Sequence, residues 1–219
     1  MQKEFQLLQF LDLFEEWNQK LNLTSTKDRH ELEVKHVQDS LALLEIFELE
    51  EGQRVLDLGS GGGFPGIPLA IMAPETEFVL VDSTEKKMRA VQAIANELGL
   101  SNVQTVVGRA EELAHQPLYR ERFGLVVSRA VAALPTLLEF AAGFVCVHGV
   151  FVAYKSGDYE AELEQSAHAI KTLGFSFEGP IEYELSDGMG SRSFLIFSKT
   201  KALSDEYPRM TGIPKKKPL

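Results

Sequence analysis

The segment between Asp57 and Gly66 combines an acid, glycines and a proline at a spacing that suits ligand binding. It reads Asp57-Leu-Gly59-Ser-Gly61-Gly-Gly63-Phe-Pro-Gly66. Glycines lack a Cβ atom, so the backbone can turn sharply there and approach a bound molecule closely. Asp57 supplies a carboxylate just before the first glycine. We therefore expect a small-molecule site at this loop, with Asp57, Gly59 and Gly61 in contact with the ligand.

Two further acids follow the glycine loop at intervals typical of successive strand ends. Asp82 ends the apolar run Phe78-Val-Leu-Val-Asp82, and Glu111 lies in Gly108-Arg109-Ala110-Glu111 after the next apolar run. A carboxylate at the second strand end can accept hydrogen bonds from both ribose hydroxyls of an adenosine. Glu111 and the adjacent backbone amides could contact an adenine edge. Because acids suit a positively charged sulfonium, the three strand ends favour S-adenosylmethionine as the cofactor.

The glycine loop also has a second interpretation. The spacing Gly61-x-Gly63-x-x-Gly66 fits the dinucleotide pattern, so a nicotinamide-dependent oxidoreductase that uses the same loop stays an alternative. Asp57 precedes this pattern, and two prolines enter the helix that follows it, which favours S-adenosylmethionine. Asp82 could in addition cap the helix that begins at Thr84, a role that is compatible with ribose binding.

The residues after the fourth apolar run, Ser128-Arg129-Ala130-Val131, bear on the identity of the acceptor atom. Methyltransferases that act on exocyclic amines usually have an Asn/Asp-Pro-Pro-aromatic motif there, and the sequence lacks it. Enzymes that attack a pyrimidine carbon need a cysteine nucleophile, whereas Cys146 lies in an apolar stretch typical of a buried side chain. A ring nitrogen needs neither device, because it has a free lone pair. We expect such an acceptor, with Arg129 orienting the reactants rather than transferring a proton.

Alternating strands and helices must position these strand ends. Strands are predicted at 54–58, 78–82, 103–107, 124–128, 150–154, 181–185 and 193–198. Helices are predicted at 65–72, 85–98 and 159–173. This order indicates a mostly parallel seven-stranded sheet covered on both faces, with the last two strands as an antiparallel edge hairpin. Before Gly52, apolar residues at helical spacing predict a helical N-terminal segment.

Composition and charge limit the function classes. The chain has 219 residues, a formal net charge of −10 and one cysteine. The negative charge argues against a protein that coats nucleic acid through a global positive field, although it permits a local basic patch. The sequence contains no metal-binding motif, no membrane-spanning apolar run and no secretory signal pattern. We therefore expect a cytoplasmic protein with no metal site and no membrane partner.

Several cations could contact the phosphates of a nucleic acid. Lys86 and Lys87 follow Asp82, and Lys155 follows the fifth predicted strand, at the sheet edge where ligands bind. The C-terminal stretch contains four cations and no acid: Arg209, Lys215, Lys216 and Lys217. The lysines near the strand ends could equally be ordinary solvent-exposed residues that keep a surface hydrated. The C-terminal cations indicate either a solvated tail or a phosphate-binding arm.

Motifs along nearly the whole chain match those of one known family. They are Trp17-Asn18-x-Lys20-x-Asn22-Leu23-Thr24-Ser25, His36-x-x-Asp39-Ser40-Leu41, Asp57-x-Gly59-Ser60-Gly61-x-Gly63-x-Pro65-Gly66-Ile67-Pro68, Ser128-Arg129-Ala130 and Tyr207-Pro208-Arg209. With them the sequence resembles the 16S rRNA methyltransferase G family, formerly called glucose-inhibited division protein B. The resemblance implies a class I S-adenosylmethionine-dependent methyltransferase with a Rossmann-like sheet. We expect an N-terminal helical extension at 1–51, the methyltransferase domain at 52–200 and a basic tail at 201–219.

The resemblance also implies a reaction and a set of site residues. The reaction is methyl transfer to N7 of a guanine in the 530 loop of 16S rRNA, with the rRNA or the small ribosomal subunit as partner. The implied cofactor contacts are Gly59, Phe64, Ala110, Glu111 and Arg129. The candidates for pocket shaping or RNA contact on the N-terminal helices are Asn18, Lys20, Asn22 and the pair His36 and Asp39, which lie one helical turn apart. We expect a monomer. A ribosome-assembly factor without catalysis stays a further alternative, although the intact glycine loop argues against it.

Overall fold

The fold is built on a mixed β-sheet. The structure is a computed structural model that describes residues 2–219. Its strands are β1 (Arg54–Leu58), β2 (Glu77–Asp82), β3 (Val103–Val107), β4 (Phe123–Arg129), β5 (Val145–Ser156), β6 (Phe175–Glu184) and β7 (Ser191–Lys199). Within the described residues they form a seven-stranded sheet in the order β3-β2-β1-β4-β5-β7-β6. The pairs β1/β2, β2/β3 and β4/β5 are parallel, and β7 is antiparallel to β5 and β6, which confirms the predicted sheet.

The first three strands bring their C-terminal ends to one edge of the sheet. Strands β1 and β2 are mostly apolar and are buried along most of their length, which is typical of parallel strands covered on both faces. Their register pairs Leu58 with Val81, and the register of β2 with β3 pairs Asp82 with Val107. The glycine loop that follows Leu58 therefore lies beside Asp82.

Helices precede and connect the strands. They are α1 (Gln2–Leu21), α2 (Arg29–Leu32), α3 (Asp39–Leu41), α4 (Gly66–Met72), α5 (Glu85–Glu97), α6 (Ala110–Leu113), α7 (Leu134–Ala142), α8 (Glu160–Gln165), α9 (Ala167–Leu173) and α10 (Ile213–Lys216). The chain is π-helical over Glu33–Gln38 and 3-10 helical over Ala42–Glu45. The expected N-terminal helical segment and the helices after β1 and β2 are confirmed. Among the helices of residues 2–219, none is long and apolar enough to cross a bilayer.

The helices after β3 differ from the expectation, and the four-residue helices α6 and α10 are not among the predicted elements. The helix predicted over 159–173 is interrupted at Ser166, whose Oγ donates a hydrogen bond to Glu162 O at 2.7 Å. Such a bond to the carbonyl four residues earlier competes with the helical pattern and bends helices. The helix α7 is not among the predicted elements. Its residues are all buried, so it lacks the polar face by which an amphipathic helix is recognised.

The chain folds into two compact units. The first comprises the chain up to Val107 together with Leu185–Met189. The second comprises Gly108–Glu184 and Gly190–Leu219. The first unit thus contains the N-terminal helices, the glycine loop and Asp82, whereas the second contains α6, the end of β4 and the C-terminal residues.

Within the first unit, α1 packs against α4 and α5. Lys3 Nζ donates a hydrogen bond to Met72 O, the last residue of α4, at 2.9 Å. Gln6 Nε2 donates to Leu98 O, just beyond α5, at 3.3 Å. Carbonyl groups at the end of a helix lack partners within the helix, so these donors stabilise both helix ends. The N-terminal helix is therefore an integral part of this unit.

Asn102 closes the turn between α4 and β2. Its Nδ2 donates to the carbonyl oxygens of Ala70, Ala73 and Thr76, each at 3.1 Å. We expect Asn102→Ala to lower the free energy of unfolding by about 1–3 kcal/mol, because three carbonyls lose this donor. Chemical denaturation measures the change, and the exposed Asn96→Ala should alter stability by under about 0.5 kcal/mol. Equal stability of the two variants would contradict the role of Asn102.

Candidate functional site

The end of β2 holds the glycine loop. The backbone N–H groups of Gly59 and Ser60 both donate to Val81 O, at 2.8 and 2.9 Å. Gly59, Gly61 and Gly63 have φ values of 75°, 58° and 95°. These values lie in the left-handed region, where a Cβ atom is strained and glycine is favoured. The backbone conformation therefore requires glycine at these three positions.

Asp57 is buried at the C-terminal end of β1. Its exposed fraction is 0%, and its Oδ2 accepts a hydrogen bond from Gly66 N at 2.9 Å. A Cβ atom at Gly66 would lie 2.8 Å from both Asp57 Oδ2 and Leu80 Cγ. The absence of that atom lets α4 begin directly against the carboxylate. Asp57 thereby sets the shape of the loop from its buried side.

Asp82 joins the glycine loop to the next helix. Its Oδ2 accepts a hydrogen bond from Gly61 N at 3.1 Å, and its Oδ1 accepts one from Thr84 N at 2.8 Å. Thr84 is the N-cap residue of α5, so Asp82 bonds to the residue before the helix and does not cap its first turn as expected. A carboxylate oxygen can accept more than one hydrogen bond, so the half-buried Asp82 can also receive hydroxyl groups of a ligand.

Phe64 packs against the N-terminal helices. Its ring centroid lies 5.1 Å from that of Phe10, 5.0 Å from that of Phe14 and 5.0 Å from that of His36, whose ring is stacked on it at 30°. Phe64 is 6% exposed. A Cβ atom at Gly62 would lie 2.6 Å from Phe14 Cε2, so the loop is in direct contact with α1. The N-terminal helices thus position the glycine loop, and cofactor contact by Phe64 stays a prediction.

The N-terminal site candidates lie around the turn after α1. Asn18 Oδ1 accepts a hydrogen bond from Thr24 N at 2.9 Å, and His36 Nε2 lies 3.3 Å from Thr24 Oγ1. Asn22 is exposed with φ of 50°, a conformation that asparagine tolerates better than most residues. Lys20 is exposed, and its Nζ lies 5.2 Å from the tryptophan ring centroid. Asn18 and His36 therefore shape this turn, while Asn22 and Lys20 face solvent.

The first unit brings together most of the predicted cofactor residues. Those at or beside its glycine loop are Asp57, Gly59, Gly61, Phe64 and Asp82. Lys86 and Lys87 lie in the first turn of α5, where Lys86 is exposed and Lys87 is half-buried. The predicted residues Ala110, Glu111 and Arg129 belong to the second unit.

Arg129 is the last residue of β4, at the expected strand end. The next residue, Ala130, has φ of 56°, a conformation that is rare without glycine and that often occurs at functional sites. Leu134 N, at the start of α7, donates to Glu162 Oε2 at 2.9 Å, and Lys155 Nζ donates to the same oxygen at 2.5 Å. Glu162 therefore anchors the end of the loop that follows Arg129. Lys155, a predicted RNA contact, forms an ion pair with it.

Glu111 is buried beside the C-terminal residues. Its Oε1 accepts a hydrogen bond from Gly212 N at 3.0 Å, and its Oε2 lies 4.0 Å from Arg109 Nε. The residue is 3% exposed. Adenine contact at Ala110 and Glu111 stays a prediction. The carboxylate itself is directed at the C-terminal residues.

The C-terminal cations differ in their surroundings. Lys215, Lys216 and Lys217 are exposed, whereas Arg209 forms an ion pair with the buried Glu139, at 2.6 Å from Nη2 to Oε2. Hydrogen bonding to that carboxylate raises the pKa of Arg209 above its ordinary value. The sequence indicates a solvated tail or a phosphate-binding arm at the C-terminal cations, and neither interpretation predicts this ion pair. RNA contact by Arg209 stays a prediction, and its observed partner favours a structural role.

The sequence interpretation missed two acids, Glu139 and Glu162. Glu139 had a signal, because it interrupts the apolar run Leu137-Leu138-Glu139-Phe140-Ala141. An acid that is buried among apolar residues requires a partner, since an unpaired buried charge is very unfavourable. Glu162 had no such signal, because it lies among other acids on a half-exposed helix.

Sequence comparison identifies relatives along the whole chain. A family model described as rRNA small subunit methyltransferase G matches residues 3–178. The ribosomal RNA small subunit methyltransferase G of Clostridium novyi (strain NT) is 41% identical over 98% of this chain and 88% of its own length. The protein of the same name from Brevibacillus brevis is 43% identical over 100% of this chain and 91% of its own length.

Solved structures with a similar fold are more distant in sequence. A SAM dependent methyltransferase from Aquifex aeolicus has a TM-score of 0.56 at 18% identity, over 78% of this chain and 93% of that one. M. jannaschii TYW2 in complex with AdoMet has a TM-score of 0.59 at 14% identity, over 75% of this chain and 76% of that one. The sheet therefore has the class I methyltransferase architecture. Together with the family match and the identities near 40%, it shows that the chain belongs to the rRNA small subunit methyltransferase G family.

Proposed function

We propose that the chain is an S-adenosylmethionine-dependent methyltransferase that acts on N7 of a guanine in the 530 loop of 16S rRNA. Its family and its relatives at 41% and 43% identity are named for methylation of small-subunit rRNA. The observation that supports the proposal most is the geometry of the glycine loop, which is held by the carboxylates of Asp57 and Asp82. We also propose a cytoplasmic monomer, organised by function as an extension at 1–51, a methyltransferase domain at 52–200 and a tail at 201–219.

The residues at the loop fit S-adenosylmethionine. When bound, this cofactor supplies a methyl group on a positively charged sulfonium, and the carboxylates of Asp57 and Asp82 complement that charge. Ser60 Oγ is buried and has no hydrogen-bond partner within residues 2–219, which suits completion by a ligand. In the proposal Asp82 accepts the ribose hydroxyls. The further cofactor contacts are Gly59, Gly61, Phe64, Ala110, Glu111 and Arg129.

The proposed acceptor explains why the chain needs no general base. A guanine N7 has a lone pair in the ring plane, so it gains a methyl group without losing a proton. The chain then has to hold the reactants in line and exclude water. Methylation leaves positive charge on the guanine ring, which an adjacent guanidinium would oppose. We therefore assign Arg129 to binding and orientation through an anionic group rather than to proton transfer.

We propose that several lysines contact the phosphates of the rRNA. Those that are exposed or half-buried and suited to phosphate contact are Lys20, Lys86, Lys87, Lys215, Lys216 and Lys217. Asn22 is exposed next to the turn and could contact a sugar or a base edge. The residues whose contacts within the chain favour a role in shaping the site are Asn18, His36, Lys155 and Arg209.

The position of the methyl group tests the proposed function. Purified enzyme is incubated with S-adenosylmethionine labelled in the methyl group and with either naked 16S rRNA or 30S subunits. We expect label in one guanine of the 530 loop, at a site that borohydride and aniline cleave because N7 is methylated. Label on an exocyclic amine or on carbon would refute the ring-nitrogen proposal. Binding of NAD in place of S-adenosylmethionine would refute the cofactor.

Replacement of Arg129 by alanine tests its assignment. We expect the methylation rate to fall roughly hundredfold or more, because the side chain that orients the reactants is lost. The melting temperature should change little, since Arg129 is half-buried at a strand end. The exposed Arg122→Ala is a matched control in the same unit and should retain full activity. An Arg129→Ala enzyme with the wild-type rate would refute the assignment.

A further inference from the structure

The C-terminal residues form a fixed strap rather than a free tail. We use the name C-terminal strap for residues 203–217. Its first half is bound by Arg120, whose guanidinium donates to three of its carbonyl oxygens, those of Leu203 at 3.2 Å, Ser204 at 3.1 Å and Tyr207 at 2.9 Å. The next carbonyl, Pro208 O, lies 2.8 Å from His115 Nε2. These contacts involve backbone groups of the strap, so they order the chain itself.

The ion pair of Arg209 and Glu139 is the anchor of the C-terminal strap. The side chain of Glu139 is 0% exposed, and its carboxylate accepts bonds from Arg209 N at 2.7 Å, Nε at 2.9 Å and Nη2 at 2.6 Å. The fork of the guanidinium thus matches both carboxylate oxygens, and the backbone N–H adds a third donor. Arg209 Nη2 also donates to Lys217 O at 2.9 Å, which fixes the far end of the strap.

Beyond the anchor, the C-terminal strap holds the short helix α6. Gly212 N donates to Glu111 Oε1 at 3.0 Å, and Thr211 Oγ1 donates to Glu112 Oε1 at 3.0 Å. A helix of four residues has few internal hydrogen bonds and is not stable by itself. The position of α6 therefore depends on partners outside the helix. Two of its four side chains accept hydrogen bonds from the strap. The strap is also fixed on α7, where Thr136 Oγ1 donates to Pro214 O at 3.0 Å.

We propose that the C-terminal strap positions the Ala110–Glu111 segment for the adenine of the cofactor, with Arg209 and Glu139 as positioning residues. The inference rests on the proposed function, in which Ala110 and Glu111 contact that adenine. The carboxylate of Glu111 holds the strap, so its contribution to adenine binding is the placement of the backbone around it. Arg209 acts on cofactor affinity through Glu139 and the strap, and not through RNA.

Equilibrium binding without RNA tests the C-terminal strap. The ligands are S-adenosylhomocysteine and 5′-methylthioadenosine, which share the adenosine but differ in the amino-acid end. We expect Glu139→Gln in the full chain to raise the dissociation constants of both ligands by a similar factor, roughly fivefold or more. Glu139 is inaccessible to RNA and to ligand, so it can act only through its partners. Arg209→Lys keeps the charge but loses the fork, and we expect a smaller increase for both ligands.

The controls separate positioning from loss of folding. Circular dichroism melting shows that each variant is folded at the temperature of the binding measurement, and Lys171→Ala, exposed on α9, should bind both ligands like wild type. If Glu139→Gln does not fold, the binding constants of Arg209→Lys test the same ion pair. Folded variants that bind both ligands like wild type would overturn the proposal, and so would a loss confined to S-adenosylhomocysteine. If the wild-type protein bound neither ligand, the proposed function itself would fail.

Discussion

Replacing Asp82 by alanine is expected to raise the dissociation constant for S-adenosylmethionine at least about a hundredfold. The carboxylate holds Gly61 N at 3.1 Å and Thr84 N at 2.8 Å, and we propose that it accepts the ribose hydroxyls as well. Hydrogen bonds to a charged group contribute roughly 1.5–3 kcal/mol each, so the loss of two to the ribose alone corresponds to at least about two powers of ten. The loop would also lose the bond that fixes Gly61.

Isothermal titration with S-adenosylmethionine measures the effect of Asp82→Ala, and circular dichroism checks that the variant is folded. A matched control is Glu97→Ala, which removes an exposed acid from the same unit at the end of α5. The control should bind like wild type, which excludes a general effect of net charge. A dissociation constant for Asp82→Ala within about threefold of wild type would contradict the proposed ribose contact.

Replacing Gly66 by alanine is expected to destabilise the fold and to abolish cofactor binding. The added Cβ would lie 2.8 Å from Asp57 Oδ2 and 2.8 Å from Leu80 Cγ, and both of these residues are buried. Overpacking of this kind costs about 1–3 kcal/mol. Relief of the contact requires α4 to move away from β1, which would break the hydrogen bond from Gly66 N to Asp57 and change the shape of the loop.

Gly99→Ala is the control that separates crowding from backbone strain. Gly99 has φ of 69°, but a Cβ atom there would meet nothing within 4 Å. The left-handed conformation alone should cost about 1–2 kcal/mol, with no effect on cofactor binding, since Gly99 lies beyond the end of α5. Urea denaturation and titration with S-adenosylmethionine measure both properties. Wild-type cofactor affinity in Gly66→Ala would show that the close contact with Asp57 does not shape the site.

Most of the sheet and the cofactor loop could be predicted because they depend on neighbouring residues. A parallel strand buried on both faces is a short, mostly apolar run, and β1 has the predicted bounds. The glycines at 59, 61 and 63 have positive φ, so their type follows from the local backbone. The same reasoning failed for α7, because a helix that is buried on every side shows no periodic polar face.

The glycine loop alone left the identity of the cofactor open, and acids outside the glycine spacing reduced the alternatives. Glycine spacing alone allowed a nicotinamide-dependent oxidoreductase, and the acids at Asp57 and Asp82 favoured S-adenosylmethionine. The family comparisons agree with the methyltransferase interpretation and give the oxidoreductase no support. The predicted role of Phe64 could not be refined from sequence, because its contacts with Phe10 and His36 join residues that are far apart along the chain.

The sequence by itself determined the family, the order of strands and helices and the glycine loop, since each is a pattern of residue types at short spacing. Only the tertiary structure decided the partners of the buried acids. Glu139 binds Arg209 across 70 positions, and Glu111 binds the backbone of Gly212 across 101. With 32 acids and 22 Lys and Arg residues, many pairings are equivalent in sequence. Burial selects among them, because a charge removed from water is tolerated only where folding brings a partner to it.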